Sequence, residues 1–111
     1  MGVHQMKVYV DALVNWPVTK KWKHGKACHL MIKPDTPIEK LHEFAEWLGL
    51  KRAWFQVSSS GLPHYDLTEL KRAKAVKHGA IEIDRRGTVG IIEGWRKASA
   101  VQAESKEDSN G

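Results

Sequence analysis

A chain of 111 residues, 41% hydrophobic and 28% charged, has the size and composition of one globular domain. Its formal charge of +5 and pI of about 9.4 favour anionic partners, and no apolar run approaches the roughly 20 residues of a membrane span. The one cysteine, Cys28, excludes an internal disulfide and fits a reducing cytoplasm, and Met1-Gly2-Val3-His4-Gln5 lacks the basic and apolar parts of a secretory signal.

Met6 to Asp11 alternates, with Met6, Val8 and Val10 on one face and Lys7, Tyr9 and Asp11 on the other. That pattern predicts a strand ending in an acid. Residues 12–26 hold Pro17, Gly25 and four lysines (Lys20, Lys21, Lys23, Lys26), the composition of a long basic loop. Ala27 to Ile32 alternates again, Cys28, Leu30 and Ile32 opposite His29 and Met31. Next, Thr36 is placed as a helix N-cap, with Pro37 at the first helical position and Glu39 closing a capping box. Ile38, Leu41, Phe44, Ala45 and Leu48 fall within about 120° of arc, an amphipathic stripe, and Gly49 is the expected stop. His42 lies at the edge of that stripe.

Arg52 to Val57 reads as a short strand filled by Trp54 and Phe55, followed by a Ser58–Gly61 loop. Asp66, with Glu69 three residues on, is the expected cap of a second helix running to His78. Its apolar face would be Leu67, Leu70, Ala73 and Val76, with Lys71, Arg72, Lys74 and Lys77 outward. Two β-rich runs, 80–84 and 88–93, flank Arg85-Arg86-Gly87 and predict a hairpin. From about residue 98 the chain turns polar, and 98–111 is expected to lack order. The resulting fold class is α/β: one small domain over 1–97, a mixed sheet of about 4–5 strands with two helices, in the order β-β-α-β-α-β-β.

The chemistry-bearing residues are spread along this order. Asp11 ends the first strand, where α/β sheets gather ligands. His29 lies on the face opposite the apolar residues of its strand. His64 and Tyr65 precede the second helix in an apparent loop, a favoured place for binding groups, whereas Asp66 is explained locally as a cap. The sequence holds no His-Glu-x-x-His, Cys-x-x-Cys or glycine-rich phosphate loop, so a metal would require folding to gather Asp11, His29, His64 and Asp66, and the cofactor stays open. Cys28, between apolar neighbours, reads as a core residue.

The words "VYVD" (8–11), "HLM" (29–31), "LHEFAEWLGL" (41–50), "WFQ" (54–56), "HYDLT" (64–68) and "KRAKAVKHGA" (71–80) together resemble a small bacterial and phage domain family of unknown function, DUF4031, over about residues 6–83. The resemblance implies a shared α/β fold. It marks Asp11, His29, His42, His64, Tyr65 and Asp66 as a common site, with 84–97 an extension, and it implies no activity.

The expectation is a pocket in which Asp11, His29 and His64 carry chemistry and Tyr65, Asp66, His42 and Trp54 bind the ligand. That ligand is a small anion, such as a nucleotide or phosphoester, bound in the cytoplasm, with hydrolysis by the same residues left open beside mere binding. A competing expectation is an accessory protein that meets nucleic acid or an acidic partner through Lys20, Lys21, Lys23, Lys26, Lys71 and Arg72.

Overall fold

The computed structural model describes residues 7–16 and 25–110, with side chains as far as Ala100. Its elements are β1 (Tyr9–Val10), β2 (Val14–Asn15), β3 (Lys26–Met31), α1 (Ile38–Trp47), a 3-10 turn (Arg52–Trp54), β4 (Gln56–Val57), β5 (Pro63–Leu67), α2 (Glu69–Lys77), β6 (Ile81–Glu82) and α3 (Arg85–Asn110). The lysine-rich loop expected at 12–26 lies largely outside the described residues, Lys20, Lys21 and Lys23 included.

The strands form one mixed sheet in the order β4-β5-β3-β1-β6, with β2 paired to the start of β3. Only β1 and β6 run parallel; the other pairs are antiparallel. Register decides which side chains share a face. Tyr9 opposes Met31 and Val10 opposes Leu30, while His64 opposes Met31 and Asp66 opposes His29. Alternation then sends Val8, Val10, Cys28, Leu30, Ile32, Tyr65 and Leu67 to one face, where they pack with Leu41, Phe44, Ala45 and Leu48 of α1 and Ala75 of α2. The other face presents Tyr9, Met31, His29, His64 and Asp66. Its apolar part is covered by Ile91, Ile92 and Trp95 of α3, and the Trp95 indole N–H donates to the Ile32 carbonyl at 2.8 Å. The domain is therefore three layers, with α1 and α2 on one side of the sheet and α3 on the other.

The amphipathic stripe of α1 is buried as its spacing required, Ile38 excepted. The helix starts one residue later than the capping box implied. Pro37 stays extended (ψ 139°) in the capping position without a side-chain cap, the Thr36 hydroxyl bonds Asp35, and Glu39 pairs with Arg52 at 2.9 Å. Gly49 ends α1 at φ +89°, with Leu50 N–H donating to the Ala45 carbonyl and Gly49 N–H to Glu46, the double bond pattern of a left-handed stop.

The cap of α2 is Thr68, whose Oγ1 accepts from Lys71 N–H at 3.2 Å, and not Asp66. Residues 63–67 alternate and pair along β3, and that pairing outweighs the local capping preference of Asp66. The helix therefore turns a different face inward: Ala75 is buried, and Leu70 is 83% exposed.

The hairpin at 80–93 is absent. β6 pairs parallel with β1, and the chain then enters α3 through an Asp84 cap, Gly87 N–H donating to Asp84 Oδ1 at 3.0 Å. Gly87, Gly90 and Gly94 lower intrinsic helix propensity, yet two of them allow close packing. A Cβ at Gly87 would stand 2.8 Å from Ile83 Cβ, and one at Gly94 would touch Pro34. The backbone of α3 remains helical to Asn110, across the polar stretch.

The capping assignments separate cleanly in stability. Thr68→Ala should lower the unfolding free energy by about 1 kcal/mol, whereas Thr36→Ala should change it by under about 0.5 kcal/mol in urea unfolding.

Candidate functional site

The β1–β3 ladder ends at Asp11 in an unusual way. Asp11 N–H donates to the His29 carbonyl at 3.4 Å, but the return bond from His29 N–H goes to the Asp11 carboxylate (Oδ1, 2.6 Å) and not to its backbone. The Asp11 carbonyl is instead taken by Arg72 Nε of α2 at 2.8 Å. Pairing resumes one residue out of step, Val14 opposite Ala27, so Ala12 and Leu13 together oppose Cys28. Such an extra residue bends a strand and re-aims side chains beside it.

Asp11 Oδ2 also holds the His29 ring, 2.8 Å from Nδ1, and accepts from Thr88 Oγ1 of α3 at 3.3 Å. Burial pushes the Asp11 carboxyl up, but the His29 ring and backbone N–H outweigh it and hold the acid below its ordinary 3.8. The hydrogen bond to Asp11 in turn raises His29 above 6.5, against the opposing effect of burial. Trp16 lies edge-on to the His29 ring, 6.0 Å between centroids.

His64 comes from the neighbouring strand. It is buried, its ring is 4.9 Å from that of His29, and its Nδ1 lies 2.9 Å from the Leu62 carbonyl. A carbonyl only accepts, so Nδ1 carries the proton and Nε2 of the neutral ring keeps its lone pair. The Asp11 contact does the same for His29. Among the described residues neither Nε2 has a hydrogen-bond partner, so both are open acceptors in the neutral rings. Two residues beyond His64 on the same face, the Asp66 carboxylate receives Gln56 Nε2 on Oδ2 at 2.9 Å. Its Oδ1 is buried without a hydrogen-bond partner among the described residues and lies 3.5 Å from His64 Nε2. An orphaned acceptor of this kind costs about 1–3 kcal/mol unless something satisfies it. The donor atoms of His29, His64 and Asp66 lie within 4.8 Å of one another, so these three are the candidates for a metal.

Asp11, His29, His64 and Asp66 thus come together. Tyr65 and His42 do not join them. Alternation turns Tyr65 to the opposite face, where its hydroxyl meets His42 Nδ1 at 2.7 Å inside the core. Trp54 is half exposed on the 3-10 turn, with Lys51 over its ring. Lys71 and Arg72 point inward, Lys71 Nζ donating to the Leu48 carbonyl at 2.6 Å and Arg72 also pairing with Glu82 at 3.1 Å. Lys26 is exposed at the start of β3. Cys28 lies on the apolar face, and burial together with the Asp11 charge pushes its thiol up to about 12, far from a nucleophile. Gln56, Thr88 and Trp16 were not singled out by the sequence. Period-two spacing from His64 marks Asp66 as its neighbour, while only the register of β4 on β5 reveals Gln56.

The groove along α3, lined by Tyr9, Lys33, Pro34, Ile83 and the α3 glycines, contains no histidine or carboxylate and lies toward the other end of β1.

Fold and corner together define a small three-layer α/β domain with a histidine–carboxylate cluster on one sheet face. Residues 8–94 match the model of the family described as a protein of unknown function, DUF4031, and the chain belongs to that family. The match extends past the core expected at 6–83 and takes in the first turns of α3, including Thr88. No curated protein and no solved structure matches the chain.

Two outcomes check this geometry. Tyr65→Phe leaves His42 Nδ1 unpaired and should cost about 1–3 kcal/mol, most of which a Tyr65→Phe/His42→Leu double variant should recover. Asp11, with its pKa lowered, stabilises the fold above 3.8 and loses that contribution as pH falls through its lower folded value. His29, raised, contributes fully below 6.5 and loses its share as pH rises through its folded value. With a chelator present, the stability lost in Asp11→Asn should therefore be greatest between pH 3.8 and 6.5, on the order of 2 kcal/mol, and shrink on both sides. A pH-independent difference would remove the ion pair from the account.

Proposed function

We propose that the domain binds a small anionic ligand of the nucleotide or phosphoester class over the Asp11–His29–His64 corner, in the cytoplasm, and that hydrolysis is the reaction for which the corner is equipped. One observation carries the reading: two imidazoles from adjacent strands, each locked through Nδ1, with neither Nε2 committed to a hydrogen bond among the described residues. Groups so oriented can coordinate, donate when protonated, or relay a proton to a leaving oxygen. Asp11 fixes the ring and tautomer of His29, and either histidine can serve as general acid or base. His29 is the more accessible of the two, with its side chain 29% exposed.

Asp11 and Asp66 set a condition on this reading. Two carboxylates beside the imidazoles would repel an anion, so bound positive charge must stand between them and the ligand. The basic-surface alternative has less support. Of its six residues, Lys71 and Arg72 are engaged within the fold, and only Lys26 stands exposed among those described.

A thermal-shift screen with nucleotides and phosphoesters, run with and without divalent metal, tests the proposal. A ligand at a hundredfold excess over its Kd adds about 2.7 kcal/mol, a shift of several degrees for a domain of this size. His64→Ala should abolish the shift while keeping the far-UV circular dichroism of the wild type. Equal responses from the two proteins would dispose of the proposal.

A further inference from the structure

The bound positive charge that this reading calls for is most simply a metal ion. We infer that His29 Nε2, His64 Nε2 and the Asp66 carboxylate hold one divalent first-row transition ion of the zinc class, with a further coordination position open to ligand. The inference rests on the reading of this corner as a ligand site and names what stands between its carboxylates and the anion.

The outer shell is already in place. Ligating histidines characteristically donate their second ring N–H to a carboxylate or a backbone carbonyl, which fixes the tautomer and raises the basicity of the ligating nitrogen. Both forms occur here, Asp11 Oδ2 on His29 and the Leu62 carbonyl on His64. Ligating carboxylates are likewise held by a donor on one oxygen. Gln56 occupies Asp66 Oδ2, and Oδ1 is left buried with no hydrogen bond. Those three roles converge on one point from three different directions of the fold: a bulged strand end, a loop carbonyl and an edge-strand amide.

Distance and chemistry agree. One ligand atom from each of His29, His64 and Asp66 lies within 4.8 Å of the others, whereas bonds of about 2.0–2.1 Å place tetrahedral ligands roughly 3.3 Å apart. Side-chain movements of about an ångström close the difference. Two imidazoles and one carboxylate suit zinc, cobalt or iron better than magnesium or calcium, which prefer all-oxygen shells. Three protein ligands also leave a position for water or a phosphoryl oxygen, the arrangement of catalytic zinc sites. Summed charge points the same way: with neutral imidazoles, Asp11 and Asp66 bring two negative charges. The Arg72 guanidinium is spent on the Asp11 carbonyl and Glu82.

The test uses metal alone. Chelator-stripped protein should bind one Zn²⁺ per chain in competition with a chromophoric chelator, and the Co²⁺ form should show the visible absorption of a four- or five-coordinate ion. Asp66→Asn and His64→Ala should each weaken Zn²⁺ by more than about tenfold, and Gln56→Ala by a smaller factor, on the scale of outer-shell losses. His78→Ala, on the exposed surface, should change nothing. Asp66→Asn is isosteric and keeps the fold in play should His64→Ala unfold. No Zn²⁺ binding, or binding that survives the Asp66→Asn/His64→Ala double variant, overturns the inference.

Inorganic phosphate and a nucleotide then separate the two readings. A change in the Co²⁺ spectrum on adding either supports both. Anion binding by a protein that takes up no Zn²⁺ overturns the metal and keeps the anion site. A bound ion indifferent to every anion tried keeps the metal and overturns the proposed function.

Discussion

The Asp11 carboxylate is the constraint on which the rest of this structure depends. Its Oδ1 replaces a backbone acceptor in the β1–β3 ladder, and its Oδ2 holds the His29 ring and receives a hydroxyl from α3. Because the side chain closes the ladder, the Asp11 carbonyl is released to Arg72 of α2. One residue therefore links both helical layers to the central strands. A buried carboxylate with this many donors is held ionised, and the ionised form in turn orders its neighbours. Loss of any one donor leaves part of a buried charge uncompensated, which is why such networks behave as units.

The sheet's register does the rest of the positioning. His64 and Asp66 reach the same face because they are two residues apart on β5, and they reach His29 because β5 lies beside β3 in that register. A slip of one residue would send both into the apolar core and bring Tyr65 and Leu67 out. The apolar face guards against this, since Tyr65 and Leu67 are fully buried against α1 and α2. Packing on one side of the sheet thus specifies the polar geometry on the other. The bulge after Asp11 lets the strand depart once its carboxylate has been used.

Much of this was legible in the sequence, and the gaps have particular causes. The alternation at 27–32 assigned His29 and Cys28 to opposite faces, because a half-polar strand declares its period. The stripe of α1 was equally plain. Asp66 was harder: an acid three residues before Glu69 looks like a cap, and only the pairing of 63–67 with β3 shows it to be a strand residue. The same shift hid the roles of Lys71 and Arg72, whose heads find carbonyl partners that no periodicity reveals. α3 was misread as a hairpin because three glycines and several β-branched residues mimic turn and strand. Helix formation there follows from the Asp84 cap and from packing onto Tyr9 and Met31. Gln56 carries no signal of its own; its role exists only through β4–β5 register.

The histidines show how one residue type divides by face. His42 and His64 are both buried and both bonded through Nδ1. His42 meets a tyrosine hydroxyl, is ringed by Phe55 and Tyr65, and has no carboxylate hydrogen-bonded to it. Its surroundings ask only for a satisfied polar contact. His64 meets a carbonyl on one side and, on the other, a second imidazole and a carboxylate oxygen with nothing bonded to it. An apolar-walled histidine stabilises the fold by completing a pair. A histidine facing unsatisfied acceptors leaves the structure incomplete until a proton or a cation arrives, since acceptors cannot satisfy one another. That asymmetry separates the two histidines that the sequence presents alike, and it puts the unsatisfied polar groups on the α3 side of the sheet.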